Sequence, residues 1–177
     1  MACRSAPGGI TTLSLKRHHL RRPDVLFASG FGLGFLPRAP GTWGSLGALF
    51  VWWFGLVDLS LAYQFSVTLL CFFVGWWCSR RISHFFSTDD AAEIVADEVV
   101  GMWVALMLLP KIWWIALVAF VMFRLLDIAK PSVIGWLDRE VKGGLGVMLD
   151  DMMAGLITGG VLYVLVLVLQ SQGWINP

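Results

Sequence analysis

Charge is what this chain has least of. Asp, Glu, Lys and Arg together make up 14% of the 177 residues and balance to a formal net charge of +1. A near-neutral chain without a basic face excludes nucleic acid as a partner. Histidine and cysteine are scarcer still, three of each. His18 and His19 sit in a basic stretch, His84 stands alone, and Cys3, Cys71 and Cys78 lack ligand spacing, which excludes a zinc or copper centre. Cys71 and Cys78 fall two turns apart in one apolar run and are expected to be packed or lipid-facing thiols. No apolar core lies within Met1 to Arg22, so a cleaved signal peptide is not expected and 1–24 is predicted to be a basic cytoplasmic tail.

Apolar residues fill the space that charge leaves. They account for 58% of the chain, with 10 Trp and a mean hydropathy of +0.75, well above a soluble domain. The chain therefore reads as an all-α, polytopic membrane bundle with about five transmembrane helices. Trp43 to Val57 and Leu59 to Cys78 form one helical hairpin turning at Asp58, and Val99 to Leu109 and Ile112 to Phe123 form another turning at Pro110-Lys111. Met152 to Leu169 is the last run, and Trp174 behind it suits an interface anchor. Val25 to Leu36, about 12 residues, is too short to cross and is expected to be re-entrant or interfacial. One membrane-embedded domain over 25–170 and a short tail over 171–177 follow. With the N-terminus cytoplasmic, twelve of the 13 Lys and Arg residues fall inside and only Lys111 falls outside, the pattern of the positive-inside rule. The acids of the polar stretch Ser83 to Glu93, Asp89, Asp90 and Glu93, are read as a solvated loop.

The few charges converge. Glu98 lies about 12 residues before the second turn and Arg124 about 13 after it, roughly 18 to 20 Å on each arm. Asp97 and Glu98 thus return to the level of Arg124, Asp127 and Lys130, which recur at helical spacing, and Asp150-Asp151 open the last helix from the same side. Asp97 and Gly101, like Asp151 and Gly155, are four apart, and a small residue on that face lets a neighbouring helix come close. Upstream, Pro40-Gly41-Thr42-Trp43-Gly44-Ser45 opens an apolar helix with a glycine-containing turn, whose backbone N–H groups and partial positive charge suit a phosphate.

Grouped carboxylates with oxygen-only ligation suit Mg²⁺, which keeps water and substrate phosphate in its shell. Arg124 and Lys130 supply cations for phosphate oxygens. The constellation describes phosphoryl chemistry on a membrane substrate. Histidine-dependent lipid phosphatase motifs and the Asp-x-Asp nucleophile are absent, and the CDP-alcohol transferase spacing cannot be laid over Asp97 to Asp127. Intramembrane acids also suit a small ion or solute transporter or channel subunit with Phe27 to Leu36 as a re-entrant pore element, although acids at helix ends rather than midway argue against it. Between the last two crossings, Ser132 to Leu149 alternates apolar and charged residues in the manner of an interfacial helix.

Four blocks carry a resemblance: Pro40-Gly-Thr-Trp-Gly-Ser45, Asp97-Glu-Val-Val-Gly-Met-Trp103, Phe123-Arg-Leu-Leu-Asp-Ile-Ala-Lys-Pro131 and Gly143-Gly-Leu-Gly-Val-Met-Leu-Asp-Asp-Met-Met-Ala-Gly155. In this order, from about Phe27 to about Tyr163, the chain resembles the phosphatidylglycerophosphatase A family. The resemblance implies a Mg²⁺-dependent hydrolase of the bacterial inner membrane that converts phosphatidylglycerophosphate to phosphatidylglycerol, with its site facing the cytoplasm. It implies Asp97, Glu98, Asp127, Asp150 and Asp151 as acidic site residues, with metal at Asp97, Glu98, Asp150 and Asp151. Gly41, Thr42, Gly44, Ser45, Arg124 and Lys130 would meet the phosphate.

Overall fold

The computed structural model describes residues 15–86, 91–141 and 143–175, and every regular element among them is helical. Most of the tail expected over 1–24, and the acids Asp89 and Asp90, lie outside the described residues. The helices are α1 (Pro23–Ala28), α2 (Pro40–Val51), α3 (Leu61–Phe86), α4 (Ala96–Leu106), α5 (Trp113–Ala129), α6 (Ser132–Glu140) and α7 (Gly144–Ser171).

Only α3 and α7, among the described residues, are long and apolar enough to cross a membrane by themselves. At 11 residues, α4 is a rod of about 16 Å, roughly half the ~30 Å hydrocarbon core. α5 has 17 residues, and α2 continues through a π-helical turn, Trp52–Leu56; both lie at the short end of the about 17 to 25 residues that a span takes. Among the described residues, two of the five crossing helices expected are thus full-length candidates. The apolar content of α4 serves packing. Val100, Met102, Ala105 and Leu106 are sealed from solvent, and α7, α2, α3 and α5 all pack against this helix. Trp103 Nε1 donates to the Ala48 carbonyl at 2.9 Å, joining α4 to α2 while keeping the buried indole satisfied.

Val25 to Leu36 forms no apolar rod. After α1 the chain takes left-handed conformations at Gly30, Phe31 and Gly32 and a 3₁₀ turn at Leu33–Phe35. The Ala28 carbonyl accepts the Val95 N–H at 2.8 Å, which ties this segment to the residue preceding α4.

Large apolar side chains cover the outside of the long helices. Phe50 and Phe54 before and in the π turn, Leu70 and Phe73 on α3, Leu117 and Val121 on α5, and Val164 and Leu167 on α7 are all exposed. A continuous apolar exterior of this kind needs a partner such as lipid. At one end of the bundle the two hairpin turns meet: Lys111 Nζ reaches Asp58 Oδ2 at 2.6 Å. Beside it, Gln64 donates to the Leu59 carbonyl at 3.0 Å and accepts from Trp52 Nε1 at 3.4 Å, closing the α2–α3 turn.

Candidate active site

Two glycines bring the acidic doublets together. A Cβ on Gly155 would overlap the Gly101 carbonyl, and one on Gly101 would lie 2.6 Å from the Asp151 carbonyl oxygen and 2.7 Å from the Phe123 ring. The backbones of α4 and α7 are therefore in direct contact one turn beyond Asp97 and Asp151. This is the close approach expected from the four-residue spacing.

Asp97, Asp150 and Asp151 are 5% exposed or less. The first aspartate of each doublet accepts its successor's N–H, Glu98 to Asp97 and Asp151 to Asp150, both at 3.0 Å. Asp97 and Glu98 occupy the first turn of α4, where the helix dipole favours negative charge. One carboxylate oxygen each from Asp97, Glu98 and Asp151 lie within 4.8 Å of one another. Such a trio of oxygen donors matches a hard divalent cation. Glu98 Oε2 is buried and has no hydrogen-bond partner, the kind of atom that a bound group would satisfy. Asp150 faces elsewhere, with Lys130 Nζ 2.6 Å from its Oδ2.

Cations stand beside the trio. Arg124 forms an ion pair with Asp127 on its own helix and approaches Glu98 Oε1 at 3.8 Å. Lys130 caps α5 in the left-handed region, φ +42°, a conformation that costs a non-glycine residue on the order of 1 kcal/mol. There its ammonium meets an aspartate on α7. All these groups line one cavity of about 260 Å³, with five carboxylates against two cations. The formal excess of three negative charges is what a divalent cation would reduce.

The N-terminus of α2 closes the cavity. Arg38 and Ala39 are both left-handed, at φ 61° and 51°, and turn the chain so that Pro40 and Gly41 line it. A side chain at Gly41 would collide with Glu98 Oε1 and lie 2.9 Å from an Arg124 nitrogen. The rest of the predicted phosphate turn is not on the cavity wall. Gly44 receives the Val95 side chain, Ser45 is fully buried and donates to the Gly41 carbonyl at 2.8 Å, and Thr42 is half-buried outside the lining. Ile94, Ile128 and Val147 do line it and were not anticipated. Ile128 and Val147 are each four residues from a cluster member on the same helix, Arg124 and Asp151, so helical spacing could have found them, whereas Ile94 lies in the turn before α4 and no such spacing marks it.

Comparison with known proteins identifies a family. A family model described as Phosphatidylglycerophosphatase A matches residues 26–166. A phosphatidylglycerophosphatase A of Escherichia coli K12 is 41% identical over 149 residues, 83% of this chain and 86% of the relative. One of Haemophilus influenzae is 35% identical over 161 residues, 90% and 95% of the two chains. A Bacteroides thetaiotaomicron relative, provisionally named a phosphatidylinositol-3-phosphatase, is 36% identical over 147 residues, 77% and 91% of the two chains. No solved structure matches. None of these matches favours a transporter. The chain belongs to the phosphatidylglycerophosphatase A family, a family of phosphatase enzymes.

Proposed function

We propose that this enzyme hydrolyses the terminal phosphate of phosphatidylglycerophosphate, giving phosphatidylglycerol and phosphate, with Mg²⁺ held by Asp97, Glu98 and Asp151. The observation that carries the reading is the trio itself, three carboxylate oxygens, two of them on buried aspartates, within 4.8 Å of one another beside a guanidinium. Substrate identity rests on the names of the Escherichia coli and Haemophilus influenzae relatives.

A phosphate monoester entering the cavity would meet Arg124, whose planar fork suits phosphate oxygens, and Lys130 as a point charge. Asp127 holds Arg124 in position from one turn away. Asp150 does the same for Lys130, so we assign it a positioning role beside the cation-holding trio. Bound Mg²⁺ would supply charge neutralisation at the phosphoryl oxygens. Hydrolysis adds water across the P–O bond, so one proton leaves the attacking water and one reaches the departing glycerol oxygen. Asp127 lines the cavity outside the trio and is our candidate for the first transfer; Lys130 is our candidate donor for the second.

The same reading takes the chain as a multi-pass protein of the bacterial inner membrane, with five crossing segments and the acidic cavity facing the cytoplasm. The Lys111–Asp58 pair, at the end away from the acidic cavity, supports it, as does the positive-inside rule, by which this topology would place the other twelve Lys and Arg residues inside. Phosphate release from phosphatidylglycerophosphate by purified protein, with Mg²⁺, with EDTA and in Asp151→Asn, is the test. Release that needs metal and disappears in the variant is expected. No release by folded wild-type protein would refute the proposal.

A further inference from the structure

A second charged cavity lies between α1 and α3. It measures about 500 Å³, is lined by Arg22, Asp24, Phe27, Trp77 and Arg81 among others, and shares no lining residue with the acidic cavity. Asp24, 6% exposed, anchors it. Arg22 donates to both its oxygens, at 3.1 and 2.8 Å, and Arg81 Nε comes within 3.8 Å. Aromatic rings fix the other faces of the guanidinium groups, Phe85 4.5 Å from Arg22 and Trp77 4.9 Å from Arg81. Two arginines are thus held side by side by one carboxylate, leaving a net positive charge. Each guanidinium has five N–H donors, more than Asp24 can accept.

From this structure we infer that the Arg22–Arg81 cavity binds the headgroup of an anionic phospholipid, separately from the acidic cavity. The position on the helix selects lipid over other anions. Arg81 lies near the end of the full-length span α3, and Trp77, Phe73 and Leu70 continue from it at spacings of three and four, all exposed. A phosphate held by the arginines would therefore leave its acyl chain along an apolar stripe about 16 Å long. Tryptophan and arginine together at a span end match the membrane interface, and anionic lipids are concentrated at the cytoplasmic leaflet.

The test uses full-length protein and dioleoyl-phosphatidylserine, an anionic diester that is neither substrate nor product of the proposed reaction. Retained lipid would be counted by native mass spectrometry after delipidation, against dioleoyl-phosphatidylcholine and inorganic phosphate. Retention of one phosphatidylserine is expected, reduced at least five-fold in Arg81→Gln and unchanged in Asp151→Asn and in Arg80→Gln, the neighbouring exposed base. Arg81→Lys keeps the charge without the fork and should lose part of the retention, which guards against misreading a folding defect. Equal retention of phosphatidylcholine, equal loss in Arg80→Gln, displacement by inorganic phosphate alone, or no change in Arg81→Gln would each overturn the inference. Phosphatase activity does not enter the readout, so failure here and failure of the proposed reaction are distinguishable.

Discussion

The two ends of this bundle use the same residue types to different effect. At one end a lysine and an aspartate join two turns, with side chains 41% and 76% exposed. At the other, five carboxylates and two cations share one cavity, and Asp150 is 1% exposed. An exposed ion pair contributes little because water screens it. Buried like charges repel strongly and persist only where the surrounding structure holds them. The outer pair is a fastening, whereas the inner cluster is an arrangement that the fold maintains against its own electrostatics. Polar groups kept at such a cost are the ones to examine for chemistry.

The sharpest way to break the contrast is at the trio. Asp151→Asn, or removal of divalent cations by EDTA, should lower phosphate release at least about 100-fold while the protein stays folded by circular dichroism. Glu98→Gln and Arg124→Ala should each lower turnover at least about ten-fold; near wild-type rates in both would remove them from the site. Lys130→Met leaves buried Asp150 without its ammonium partner. Allowing for the 33% exposure of the lysine side chain, the stability loss should be about 2 kcal/mol, read from thermal unfolding in detergent and diminished when Asp150→Asn is added.

Two smaller effects sharpen the comparison further. Hydrogen bonds from Arg22 hold the Asp24 carboxyl below its ordinary range despite burial. Its stabilising contribution is thus complete above the ordinary carboxylate value of about 4 and is lost as pH falls through the lower folded value. Wild-type protein should be more thermostable than Asp24→Asn near neutrality, and the two should converge under acid. Lys111→Ala should cost less than about 1 kcal/mol and leave turnover unchanged; a large effect on activity would mean that the two ends are coupled.

Much of the acidic end was legible in the sequence. Asp97, Glu98, Arg124, Asp127 and Asp151 could be brought to one level because a hairpin returns the chain to its starting depth and helical spacing is regular. What could not be read was the division of labour within the doublets. Asp150 turns to Lys130 and Asp151 to Asp97 because successive helical residues point about 100° apart, and only the neighbours decide what each meets. Hydropathy also could not tell which apolar runs form full-length helices. Apolar residues in α4 look alike whether they face lipid or other helices, and here the surrounding helices bury them. The Ser45 hydroxyl was expected at phosphate but bonds to the Gly41 carbonyl, an i−4 choice always open to serine in a helix. Arg22 and Arg81 counted only toward orientation in the sequence, because their convergence on Asp24 depends on how α1 docks on α3.

The glycine contact between α4 and α7 has a consequence for ion choice under the proposed function. Ligand distances for Mg²⁺ and Ca²⁺ differ by only about 0.2 to 0.5 Å, less than the separation that a methyl group at Gly101 or Gly155 would force on two touching backbones. Asp97 and Glu98 ride on one of these helices and Asp151 on the other. The absence of two side chains, with no oxygen atom of their own to offer, thus works as a caliper: the gap it sets is the radius that the carboxylates can grip.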